Sequence, residues 1–151
     1  CERVCALVRA EFRDVALLRD YDASMPEFRA DPARVMQALL NVVRNAAQIM
    51  TGLHPTQSPH ITIKTRIARQ VLLQHKQHRM AVVVTVTDNG PGVPETLKDR
   101  IFHPLVTGRD GGTGLGLSLA QDFIQQHGGV IEFESRPGHT EFRLQLPLEP
   151  V

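Results

Sequence analysis

Asp88 closes a run of alternating β-branched residues, Val82 to Thr87, and opens the small-residue turn Asn89-Gly90-Pro91-Gly92-Val93. Downstream, Gly111-Gly112-Thr113-Gly114-Leu115-Gly116-Leu117 leads into an amphipathic helical pattern. A strand ending in a carboxylate, and a glycine-rich loop opening a helix, are the parts of a nucleotide pocket. Glycine lets backbone N–H groups approach phosphate, and a helix N-terminus favours negative charge. A third element carries amides. Gln37, Asn41, Arg44, Asn45 and Gln48 recur at i, i+4, i+7, i+8 and i+11, one polar stripe along an otherwise apolar helix. Such a stripe is either a solvated face or the wall of a wet groove, and amides set in an apolar helix suit the groove.

Two common nucleotide motifs are excluded. Leu117 stands where a Rossmann G-x-G-x-x-G would need its third glycine, and no G-x-x-x-x-G-K-[ST] occurs. Each remaining residue also has a plainer reading. Asp88 before Asn-Gly can simply start a turn. Arg109 can be a solvated loop arginine, and Thr140 a strand residue.

Taken together and in order, four motifs resemble the boxes of sensor histidine kinases. They are Asn41-x-x-x-Asn45-Ala46, Asp88-x-Gly90-x-Gly92, Phe102-x-Pro104 and Gly112-Thr113-Gly114-Leu115-Gly116-Leu117. The resemblance covers nearly the whole chain. The wording of Thr107-Gly108-Arg109-Asp110-Gly111-Gly112-Thr113 and of Pro137-Gly138-His139-Thr140-Glu141-Phe142 is similar to the nitrogen-regulation group of those kinases, the NtrB group.

The resemblance implies an ATP site and assigns its parts. Asp88 reads adenine: a buried carboxylate accepts from the exocyclic amino group, whereas guanine would present an acceptor there. Gly90, Gly92 and Val93 form the turn beneath the base, with Thr140 near it through water. Asn45 offers its side-chain oxygen to Mg²⁺, which prefers oxygen ligands and keeps several waters. Asn41 points into the same groove, and Arg44 and Gln48 share its stripe. Phe102, Gly112, Thr113, Gly114, Leu115, Gly116 and Leu117 complete the ATP contacts. Arg109 is the first candidate for neutralising charge on the transferred phosphoryl group, with Arg44 next. Relatives that hydrolyse ATP carry a glutamate four residues before the metal-binding asparagine. Here that position is Asn41, so the site is expected to hold ATP for another nucleophile.

The implied nucleophile is a histidine followed by an acid and, soon after, a proline. None of His54, His60, His75, His78, His103, His127 and His139 has that context. The phosphoacceptor is therefore expected in a dimerisation domain upstream of Cys1, with this chain a fragment that cannot phosphorylate itself. The family further implies an NtrC-type response regulator and the PII signal protein as partners, a homodimeric full-length protein and a monomeric fragment. A second reading keeps the fold but not the chemistry: a nucleotide-gated interaction module whose ordered lid docks a regulator. A third, a serine-directed anti-sigma-factor kinase, fits the lid and Pro137–Phe142 wording less well.

The elements that must position these residues follow from pattern. Val4, Leu7 and Val8 predict a helix over Cys1–Phe12, and Val15–Tyr21 a strand, with Phe28-Arg29-Ala30 as a short second one. Asp31-Pro32 starts a helix that runs to about Met50. Gly52 to Pro59 reads as a polar loop. Ile61, Ile63, Thr65 and Ile67 alternate with polar residues and pair with Met80–Thr87 in a long hairpin turning near His75–His78. Those two histidines lack metal-ligand company and read as turn residues. Pro94–Ile101 is a short helix or turn. Phe102–Gly112, rich in glycine and poor in apolar anchors, reads as a mobile lid. Thr113–Gln126 forms a helix burying Leu115, Leu119, Ala120, Phe123 and Ile124, capped by Gly128. Val130–Glu134 and Glu141–Leu146 are strands joined at Pro137-Gly138.

These elements make one α/β domain, a two-layer sandwich with helices on one face of a mixed, mostly antiparallel sheet. The resemblance names it the Bergerat (GHKL) fold. At 151 residues and 42% hydrophobic, the chain is long enough for a real core. A net charge of +1 is no footprint for nucleic acid. No apolar run approaches a membrane span, and no signal pattern opens the chain, so a cytoplasmic setting is expected. Cys1 and Cys5 read as small packing residues.

Overall fold

The computed structural model describes residues 2–12, 15–23, 32–50, 59–102 and 116–148. Three helices and five strands follow in the order α1 (Glu2–Glu11), β1 (Ala16–Asp20), α2 (Pro32–Met50), β2 (His60–Leu73), β3 (Lys76–Asp88), α3 (Gly116–Gln126), β4 (Val130–Arg136) and β5 (His139–Pro147). A short 3-10 helix, Lys98–Arg100, lies between β3 and α3. The predicted strand at Phe28–Ala30, the predicted loop Gly52–Pro59 apart from Pro59, and the predicted lid Phe102–Gly112 apart from Phe102 lie outside the described residues.

The strands form one sheet in the order β1-β2-β3-β5-β4. β1 runs parallel to β2, and the other three pairs are antiparallel. The mixed, mostly antiparallel expectation therefore holds. Alternation decides which face is covered. Ile61 and Ile63 on β2, Val82 and Val86 on β3, Phe142, Leu144 and Leu146 on β5 and Ile131 on β4 are all buried on one face. They meet Leu39, Val42, Val43 and Ala46 of α2 and Ala120, Phe123 and Ile124 of α3 in a single core. Burying one such side chain stabilises the fold by about 1.5–3 kcal/mol. The opposite face carries Thr62, Lys64, Thr85, Thr87, Glu141 and Arg143 around a shallow depression. The helices thus cover one face only.

Two expectations change. The β2–β3 turn is made by Gln74 and His75, both at positive φ, with Leu73 paired to Lys76 and His78 opposite Val71 inside the ladder. The predicted hairpin forms, but no glycine or Asn-Gly marks its turn, so the pattern placed it only to within a few residues. Leu119 is 56% exposed, not buried. α3 instead turns Leu117, Ser118, Ala120, Phe123 and Ile124 inward. The predicted C-cap is present. Gly128 has φ +78°, its N–H reaches the Gln125 carbonyl at 3.1 Å, and the Gly129 N–H reaches that of Ile124 at 2.9 Å. Those two bonds are a Schellman motif, which left-handed glycine makes inexpensive.

Candidate functional site

The site forms where β3 ends beside the start of β5. Asp88, the last residue of β3, pairs with Thr140 of β5, which pairs in turn with Ser135 of β4. All three lie on the helix-covered face by alternation. Asp88 and Thr140 are 4% and 2% exposed, so the sheet carries a polar end on an otherwise apolar face.

The two carboxylate oxygens of Asp88 have different fates. Oδ1 accepts the Gly90 N–H at 2.9 Å, which closes the turn after the strand. Oδ2 has no partner among the described residues. Yet no sealed side-chain nitrogen or oxygen among them lacks a partner, so Oδ2 is reachable from outside the core. Burial pushes the Asp88 carboxyl above its ordinary value. The Gly90 N–H, and after it His139 and His60, pull the other way. An acceptor oxygen held at the end of an apolar face is what recognition of an amino group requires.

The glycine turn is latched to the β4–β5 hairpin. The Gly138 N–H donates to the Gly90 carbonyl at 2.8 Å. The Val93 N–H donates to Ser135 Oγ at 2.7 Å, and Ser135 Oγ lies 2.7 Å from Thr140 Oγ1. Lys98 reaches back from the 3-10 helix to the Ser135 carbonyl at 2.9 Å and to Glu95 at 2.6 Å. Asn89 does different work: its side chain accepts the His60 N–H at 2.9 Å and ties the start of β2 to the turn.

The polar stripe of α2 is also observed. Gln37 is exposed and Asn41, Arg44, Asn45 and Gln48 are partly exposed, while Val42, Val43, Ala46 and Ala47 behind them are buried. Gln37 donates to Asn41 Oδ1 at 2.8 Å. Arg44 pairs with Glu11 at the end of α1, at 3.0 Å. The Asn45 amide makes no hydrogen bond among the described residues, which leaves a neutral oxygen donor open on the stripe. Gly116, the first residue of α3, lies over Asn41, with 3.7 Å between an added Cβ and the Asn41 Cβ. Gly116 therefore lets the start of α3 sit directly against the asparagine stripe, and Leu117 anchors it in the core.

Phe102 is placed by packing. Its ring meets Phe133 and Phe142 edge-on, at centroid distances of 5.8 and 6.3 Å. Arg109, Gly112, Thr113, Gly114 and Leu115 lie outside the described residues. Sequence reasoning missed Ser135 and Lys98. Ser135 was visible only as a polar residue in phase with Ile131 and Phe133, and nothing local distinguishes Lys98.

Residues 30–150 match the model of the histidine kinase-, DNA gyrase B-, and HSP90-like ATPases. The chain belongs to that family. Among these ATPases it is similar to the sensory histidine kinase/phosphatase NtrB of Salmonella typhimurium, 53% identical over 148 residues, 97% of this chain and 41% of the relative. NtrB of Rhodobacter capsulatus is 37% identical over 139 residues, 89% of this chain and 37% of that one. The chain thus spans about two-fifths of the length of these curated relatives. A nucleotide-free structure of the catalytic domain of histidine kinase ThkA superposes with a TM-score of 0.74 at 30% identity, covering 97% of this chain and 89% of that one. The likeness of the whole fold to that domain makes this a histidine-kinase catalytic domain. Among the described residues no helix is long and apolar enough to cross a membrane.

Proposed function

We propose that this domain binds Mg·ATP between the α2 stripe and the first glycine turn, and passes the γ-phosphoryl group to a histidine on a separate dimerisation domain of a nitrogen-regulation sensor kinase. The observation that carries the reading is Asp88: buried, one oxygen held by Gly90, the other open beside Thr140. Family membership supplies ATP as the ligand. Asp88 Oδ2 then takes the exocyclic amino group of adenine, and Gly92, whose backbone meets that of Arg136, holds the turn against the end of β4 beside it.

The donor set on α2 fits Mg²⁺. Asn45 offers an uncommitted amide oxygen, a hard and neutral ligand of the kind that holds the ion only together with phosphates and water. When bound, the ion neutralises charge on the phosphates. The chain's own residues do the rest. Asn41, bonded to Gln37, stands where a carboxylate would be needed to activate water, so the domain withholds ATP from hydrolysis. Arg109 supplies the cation for the departing phosphoryl group. The similarity to NtrB supports the nitrogen-regulation setting; a cytoplasmic homodimer, with an NtrC-type response regulator and PII as partners, is what the family resemblance implies.

Incubation with a purified acceptor domain and labelled ATP tests the proposal. The expected product is phosphate on the acceptor, stable to alkali and labile to acid, as phosphohistidine is. ATP binding without any transfer, in the presence of a folded acceptor, would refute it.

A further inference from the structure

The hydroxyl pair Ser135–Thr140 has an internal polarity that bears on how the base is read. Ser135 Oγ accepts the Val93 N–H at 2.7 Å and lies 2.7 Å from Thr140 Oγ1. Each hydroxyl has one hydrogen and two lone pairs. One hydrogen is spent between them, and the other is free. If Thr140 donated, its remaining lone pairs would face the Asp88 carboxylate, its direct partner across β3 and β5, at a Cβ separation of about 5 Å. If Ser135 donates, the free hydrogen is Thr140's, on the side of that carboxylate and uncommitted among the described residues. Electrostatics favours the second arrangement.

We propose that Ser135 is a positioning residue for nucleotide recognition: by taking the Val93 N–H and giving its own hydrogen to Thr140, it fixes Thr140 as a donor beside the Asp88 acceptor. This rests on the ATP reading given above. An acceptor and a donor side by side match an edge with an amino group next to an unprotonated ring nitrogen, which is adenine's. They mismatch an edge with a carbonyl next to a ring N–H. Ser135 is well held for the task. Lys98 pins its carbonyl at 2.9 Å, and the Gly138 N–H to the Gly90 carbonyl at 2.8 Å keeps the two turns together. Ser135 need not touch the nucleotide. It acts through Thr140.

The test compares ADP with 1-deaza-ADP, which keeps the amino group and lacks the ring nitrogen beside it, by calorimetry on the wild type and on Ser135→Ala. The wild type should bind ADP about tenfold more tightly than 1-deaza-ADP, the scale of one lost hydrogen bond. In Ser135→Ala the Thr140 hydroxyl is free to rotate, and the preference should fall below about threefold. Ser135→Thr, which keeps the hydroxyl, should restore it. If the alanine variant does not fold, Ser135→Cys, with its feeble S–H donor, should lower the preference in the same way. Equal weakening of both ligands with the preference intact would reduce Ser135 to a loop support and overturn the proposal. A wild type that does not distinguish the two ligands would overturn it as well. A wild type that binds neither ligand would sink the ATP reading itself.

Discussion

The carbonyl oxygen of Arg136 lies 2.9 Å from where a Cβ on Gly92 would sit, and Gly92 has φ +87°. The turn after β3 and the end of β4 are in backbone contact, and only the missing side chain allows it. Gly138, at φ +86°, has nothing within 4 Å of its virtual Cβ. Gly138→Ala should therefore pay only for left-handed backbone, about 1–2 kcal/mol. Gly92→Ala should pay that and the contact, about 1–3 kcal/mol more. Urea unfolding of both variants measures the difference, and equal losses would remove the Arg136 contact from the account.

Asp88 sets function against stability. Burial raises its folded pKa above the unfolded value, so the native state holds the proton more tightly than the unfolded one. Its contribution is fully present below the unfolded value of about 4 and is lost as pH rises through the raised folded value. At neutral pH the ionised carboxylate is a cost to the apo fold. Asp88→Asn, which can keep the Gly90 bond, should raise the unfolding midpoint at pH 7, with the gain shrinking toward pH 4. The same substitution turns an acceptor into a donor facing the adenine amino group. ATP affinity should fall at least about tenfold, roughly 1.4 kcal/mol. Wild-type affinity should also weaken as acid protonates Asp88. Calorimetry with unchanged ATP affinity in the variant would exclude Asp88 from the site.

Asn45 separates metal from base. Its amide is uncommitted among the described residues, so Asn45→Ala breaks no bond there, and stability should change by less than about 1 kcal/mol. Phosphotransfer to an acceptor domain should drop far more than binding of metal-free ADP. Parallel loss in both measurements would make Asn45 a structural residue.

The two candidate cations differ in their commitments. Arg44 is paired with Glu11, both side chains more than one-third exposed, and such a pair contributes about 0–1 kcal/mol. Arg109 belongs to the glycine-rich segment between Phe102 and the second glycine loop. Arg109→Ala should slow transfer at least about tenfold, the effect of about 1.4 kcal/mol of lost transition-state stabilisation. In the wild type, Mg·ATP should protect residues 102–112 from hydrogen exchange more than Mg·ADP does, and Arg109→Ala should abolish that difference. Arg44→Ala should do neither. Wild-type transfer by the Arg109 variant with slow transfer by the Arg44 variant would reverse the assignment and require Arg44 to leave Glu11 during turnover.

What the sequence by itself determined is what short-range periodicity and backbone chemistry can encode. Pro32 begins α2, and the spacing of Gln37, Asn41, Arg44, Asn45 and Gln48 put the amides on one side of it. Phe142, Leu144 and Leu146 alternate, so β5 has one core face. Gly128 caps α3 because glycine takes the left-handed conformation of a helix cap at little cost. These features depend on neighbours within a turn or two, and they carried the family motifs with them. What only the tertiary structure decided depends on contacts between distant segments. β5 lies between β3 and β4, and that order alone sets Thr140 beside Asp88 and Ser135 beside Thr140. The hairpin turns at Gln74-His75 because the register of Ile61 opposite Asp88 and Ile63 opposite Val86 fixes where the strands run out. Leu119 stays exposed because α3 docks through Leu117, Ala120, Phe123 and Ile124. Ser135 and Lys98 join the site only because β4 ends against the glycine turn, more than thirty residues away in sequence. Local pattern cannot encode such a meeting, because its free energy comes from packing the whole sheet.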